Sequence, residues 1–127
     1  MTKWLLAVLS VSIILYSGCA TYSQGKRIYD SQCANCHGFN GEGLASLYPA
    51  LNKSDIVSHH TDRIPCIIEN GKSTKDSLGN VTSEMPPVKD LTPADVTNLI
   101  NYLLSINPNG PETVTIDSVK AWNSICN

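Results

Sequence analysis

Apolar positions are distributed unevenly along the chain. From Trp4 to Tyr16 they run almost unbroken behind Lys3, a stretch too short to span a bilayer as a mature helix. After that the periodicity becomes helical. Tyr22 to Asn35 predicts a first helix carrying Ile28 and Tyr29. Gly38, Gly41 and Gly43 make 38–45 a loop able to pass close to a flat ligand. Ser54 to His60 predicts a short helix, with Ser54 as N-cap and Asp55 favouring the dipole. Ile64, Ile67 and Ile68 stand at helical spacing within 63–70, and Gly71 is placed to end that helix. Residues 72–84 are polar, with a turn at Gly79-Asn80 suited to a small hairpin. Thr92-Pro93-Ala94-Asp95 is a strong helix start. It is followed by the apolar face of Val96, Leu99, Ile100, Leu103 and Leu104, which 107–110 brings to an end. A last short helix is expected over Ser118 to Ile125. There are no internal repeats, and 127 residues are one domain's worth.

The N-terminus reads as an export leader: a lysine, an apolar run, then Ser17 and Gly18 before Cys19. Leu15-Tyr16-Ser17-Gly18-Cys19 resembles the lipobox of bacterial lipoproteins, with Tyr16 standing where a small aliphatic residue is usual. The expectation is a signal peptide over 1–18, lipid on Cys19 and a short tether over 19–22. Cleavage near Ala20 as an ordinary secretory signal and an uncleaved anchor remain the alternatives. Either cleaved form places the protein outside the cytoplasm, and lipid would hold it to a membrane on the periplasmic face.

Nine Lys and Arg stand against eleven Asp and Glu, a net charge of −2, and removing the leader takes Lys3 away as well. No basic patch suggests nucleic acid. Aromatic residues are scarce, with a single phenylalanine. So few large apolar bodies leave a domain of this size short of core.

Cys33-Ala34-Asn35-Cys36-His37 has the spacing of a c-type haem attachment site. Two thiols three positions apart share one face of a helical turn and form thioethers to the porphyrin vinyl groups, and the next residue offers an imidazole to the iron. The competing reading is a zinc or thiol-exchange site, against which no second Cys/His pair stands at structural-zinc spacing. With Cys19 assigned to lipid and Cys33 and Cys36 to haem, Cys66 and Cys126 remain. In an oxidising compartment leftover thiols tend to be joined, here closing a loop of about 60 residues, worth roughly 4 kcal/mol in the chain-entropy estimate. Two separate thiols or an intermolecular bridge stay open.

Four motifs together make residues Tyr22 to Ile106 resemble the small monohaem class I c-type cytochromes. In order they are Gly25-Lys26-Arg27-Ile28-Tyr29, Cys33 to His37, Tyr48-Pro49-Ala50-Leu51, and Met85-Pro86-Pro87 ahead of Leu99-Ile100-Asn101-Tyr102-Leu103. The C-terminal extension resembles that of lipoprotein members from Gram-negative bacteria. The resemblance implies an all-α class I cytochrome c fold over 23–106, with three to five short helices around one covalent haem c. Residues 107–127 would be an extension stapled on by the disulfide. It implies His37 as proximal iron ligand, Pro49 offering its carbonyl to the other nitrogen of His37, and Met85 as distal ligand. Gly25 and Tyr29 would pack against Leu99 and Tyr102 where the first and last family helices cross.

Met85 is the sole methionine once Met1 is removed, and the following Pro-Pro pair stiffens its loop. Its rivals, His59 and His60, lie in a polar stretch and read as surface residues. Arg63 and Lys72 could face a propionate, with solvation as the default for both. Two filled axial positions imply a one-electron carrier rather than a stand-alone enzyme. Its partners would be redox proteins at or in the membrane, such as a quinol-oxidising complex or a terminal oxidase or reductase. The alternatives are a haem enzyme or a gas- or peroxide-binding sensor with a displaceable distal ligand, or a haem subunit of a larger oxidase or reductase complex.

Overall fold

The structure is a computed structural model that describes residues 19–45 and 47–126, with 19–21 entering as backbone only. The leader expected over 1–18 and the Cys19 side chain lie outside the described residues. Among those residues are six helices: α1 (Cys19–Gln32), α2 (Ala34–His37), α3 (Asp55–His59), α4 (Ile64–Asn70), α5 (Pro93–Ile106) and α6 (Ile116–Asn123). A 3₁₀ turn, Thr61–Arg63, leads into α4, and a two-stranded antiparallel sheet pairs β1 (Lys72–Lys75) with β2 (Val81–Met85).

The expected all-α fold is corrected to a mostly helical one by the hairpin that the turn at Gly79-Asn80 suggests, while α1 to α5, up to residue 106, are within the three to five helices expected there and α6 belongs to the extension. The first helix does not run through to Asn35. It breaks at Cys33, whose φ of −120° lets the chain restart as α2. The last helix begins two residues earlier than expected. Thr115 caps it by accepting from the Ser118 N–H, and Asp117 occupies its first turn.

The core forms where α1 crosses α5. Helix α5 is fixed at its start by a capping box: the Thr92 hydroxyl accepts from the Asp95 N–H, and the Asp95 carboxylate accepts from the Thr92 N–H. The hydrogen bonds from Thr92 hold the Asp95 carboxyl below its ordinary pKa. From there Val96, Leu99, Ile100, Leu103 and Leu104 are all buried, as the apolar face predicts. Gly25 is the contact point on α1. A Cβ there would lie 2.0 Å from the Asn98 carbonyl oxygen and 2.9 Å from Tyr102 Cβ, so any side chain would drive the two backbones apart. Leu99, one residue on from Asn98, is buried in the same core as Tyr29. Tyr29, fully buried, lies against Tyr102 with ring centroids 5.0 Å apart, and its hydroxyl donates to the Gly38 carbonyl at 2.6 Å.

Two asparagines join the later elements to this core. Asn107, 1% exposed, donates to the carbonyls of Leu51 and Ser54, satisfying buried acceptors in the loop before α3. Asn101 exchanges two hydrogen bonds with the backbone of Val114 and so pins the extension to α5. Val119 of α6 is fully buried. Cys66 and Cys126 are bonded to each other, as the cysteine accounting expects, and the Asn70 side chain donates to the Cys126 carbonyl.

Candidate functional site

The break after α1 brings both thiols of the Cys33–Cys36 pair to one wall of a cavity of about 510 Å³, with His37 beside them. That volume lies in the roughly 300–1,000 Å³ range of cofactor clefts. Apolar residues also line it: Leu51 and Val57, Ile64 and Ile68 of α4, and Leu99 and Leu103 of α5. One core face of the domain is thus the cavity wall. The hairpin supplies the last side, where Lys72, Thr74, Ser83, Glu84 and Met85 line the space.

His37 is 8% exposed. Its Nδ1 is 2.9 Å from the Pro49 carbonyl oxygen. A carbonyl accepts only, so Nδ1–H donates to it, and in the neutral ring the lone pair is left on Nε2. This contact matches the one the resemblance implies, and it settles both the tautomer and the ring orientation, as an outer partner does for a metal-ligating histidine. The loop of 38–45 makes it possible. Gly43 has φ +75°, and a Cβ on it would come within 3 Å of backbone atoms of Tyr48, Pro49 and Ala50. The Gly43 N–H also donates to the His37 carbonyl at 2.7 Å. The segment bearing Pro49 is thereby clamped against the residue it orients.

Met85 is half-buried at the end of β2 and presents the only thioether among the described residues. His59 and His60 do not line the cavity. Both sit against the exposed carboxylate of Asp55 instead. Arg63 is exposed and away from the cavity, whereas Lys72 lies on its rim.

Burial, with the neighbouring Cys36 adding to it, pushes the Cys33 thiol up to about 11, where an unmodified thiol is protonated and a poor nucleophile. The contents of the cavity are those a covalent haem requires: two free thiols at attachment spacing, an imidazole oriented through its Nδ1, a soft thioether, and apolar side chains. The residues fit that group.

Two contributors escaped the sequence reading. The cavity-facing role of the hairpin was hidden by its polarity, although its direct continuation into Met85 was a usable signal. The clamp at Gly43 was read only as loop freedom.

The Cytochrome c family matches residues 22–107. The chain is similar to the cbb3-type cytochrome c oxidase subunit CcoP of Rubrivivax gelatinosus, at 31% identity over 105 residues, covering 80% of this chain and 31% of that protein. It is also similar to the fructose dehydrogenase cytochrome subunit of Gluconobacter japonicus, at 29% identity over 104 residues, covering 77% of this chain and 21% of that protein. The chain spans less than a third of the length of either relative. With the family match extending from α1 through α5, the chain belongs to the cytochrome c family, an electron-transfer type whose cofactor is covalently bound haem c with its iron.

Proposed function

We propose that this protein is a one-electron carrier in which Cys33 and Cys36 would hold the haem and His37 and Met85 would ligate its iron. The observation that carries the reading is the 2.9 Å contact from His37 Nδ1 to the Pro49 carbonyl, which leaves Nε2 free in a cavity that Met85 also lines. Haem c, when bound, supplies the one-electron iron couple. The chain supplies the rest. Pro49 keeps the His37 ring in one orientation in both oxidation states. The Met85 thioether favours the ferrous form and raises the potential relative to a second histidine. The apolar walls of α4 and α5 exclude water, so little solvent has to reorganise when charge moves. With both positions filled by protein groups, no place is left for a small-molecule substrate.

Met85→Ala tests this. The wild-type ferric protein is expected to show the sulfur-to-iron charge-transfer band and the reduced protein to change little under carbon monoxide. The variant should lose the band, bind carbon monoxide readily and have a lower potential. Rapid carbon monoxide binding by the wild type would favour a sensor or enzyme instead.

The partners we propose are redox proteins at or in a membrane. Both relatives are named as subunits of oxidoreductases, an oxidase and a dehydrogenase, which supports a role as the haem module serving such a complex. Lipid on Cys19 would keep the domain at the periplasmic face, because α1 is already helical from that residue and leaves almost no slack. With the leader exchanged for a cleavable secretory signal that directs no lipidation, the Cys19→Ser protein should shift from the membrane to the soluble periplasmic fraction. Unchanged membrane retention would argue against the lipid anchor.

A further inference from the structure

Helix α4 ends at Gly71, which has φ +72°. With ψ −176° it lies in a region essentially only glycine adopts, not in the left-handed conformation of an ordinary helix stop, and its surroundings are close. A Cβ on Gly71 would lie 2.5 Å from the Met85 carbonyl oxygen, 2.9 Å from the Pro87 nitrogen and 3.2 Å from the Pro86 carbonyl carbon. All three are backbone atoms, so no side chain can rotate out of the way. The Met85–Pro87 limb itself would have to move.

That limb is anchored at both ends. Upstream, Met85 pairs with Lys72, the residue after Gly71, at the base of the hairpin. Downstream, the Val88 N–H donates to the Ile68 carbonyl at 2.8 Å, and Lys89 Nζ donates to the Glu69 carbonyl. Between these ties lie two prolines whose fixed φ values leave little freedom. We propose, on the reading that Met85 is the distal ligand, that Gly71 is the positioning residue for the Met85 thioether. By lacking a Cβ it lets the limb cross the end of α4 closely enough to hold sulfur over the cavity. Restoring an ordinary contact distance would displace the limb by roughly 1 Å, beyond the ~0.5 Å tolerance of a preorganised site.

The experiment compares the charge-transfer band and carbon monoxide binding of the haem-loaded wild type with Met85→Ala, Gly71→Ala, Gly71→Asn and Gly79→Ala, with helix content read alongside. Gly79 is the control for a positive φ without crowding, because it has φ +86° and nothing within 4 Å of a Cβ. Gly71→Asn keeps the crowding with a short polar side chain able to hydrogen-bond locally, and it carries the test if Gly71→Ala does not accumulate as folded protein. Loss of the band with gain of carbon monoxide binding in both Gly71 variants, and not in Gly79→Ala, is the expected result. Retention of the band in Gly71→Asn, whatever Gly71→Ala does, would overturn the proposal. A wild type without the band, or a Met85→Ala variant that keeps it, would instead refute Met85 as the ligand.

Discussion

Cys33→Ala combined with Cys36→Ala, exported without haem, is expected to lose its fixed tertiary structure. The reason lies in how the core is divided. Ile64 and Ile68 of α4 and Leu99 and Leu103 of α5 are core residues that also line the 510 Å³ cavity, so one side of the core is completed only by the cofactor. At roughly 24 cal/mol per Å³ an unfilled space of this size forfeits at most on the order of 10 kcal/mol. That is comparable to the whole stability of a small domain, about 5–15 kcal/mol. The remaining contacts between α1 and α5, centred on Tyr29 and Tyr102, should preserve helix without unique packing. The expected observations are retained far-UV but collapsed near-UV circular dichroism, dye binding, and a broad thermal change. A sharp cooperative transition near the wild-type midpoint would show that the chain fills its own core.

The second large effect is expected from opening the Cys66–Cys126 bond. Cys66→Ser with Cys126→Ser should lower the unfolding free energy by up to about 4 kcal/mol, since the bond closes a loop of 60 residues. The folded variant should nevertheless keep α6 in place. Val119 is buried and Asn101 holds the Val114 backbone, so the visible spectrum is expected to be unchanged. Denaturant unfolding at constant slope measures the loss. A change below about 1 kcal/mol would mean that the extension is held by packing alone and that the unfolded chain gains little freedom.

Much of this arrangement is legible in local sequence. Thr92-Pro93-Ala94-Asp95 specifies the start of α5 because a cap is a short-range hydrogen-bond pattern, and the apolar spacing behind it specifies the buried face. Cys33 to His37 is readable for the same reason, since its chemistry is carried by five consecutive residues. Long-range contacts are what the sequence conceals. Asn107 reads as a turn residue, yet it satisfies two carbonyls more than fifty positions away. Gly71 reads as a helix stop, and only the fold shows the Met85 limb lying across it. The hairpin strands lack apolar alternation because nearly all of their residues are exposed. Their shape depends on the tip, where the Asp76 carboxylate accepts from the Leu78 and Asn80 N–H groups. Those bonds, with the Asn80 side chain first among them, hold the Asp76 carboxyl below its usual range. The break at Cys33 has no sequence marker.

Porphyrin bonded to the polypeptide is the claim on which the ligand set, the incomplete core and the role of Gly71 all depend. The intact mass of the exported chain, after acid–solvent extraction of loosely held pigment, tests it most directly. The account predicts a mass greater than that of the polypeptide and its processing modifications by one haem, localised to the peptide containing Cys33 and Cys36. An extracted chain of unadorned mass, with both thiols open to alkylation, would contradict it.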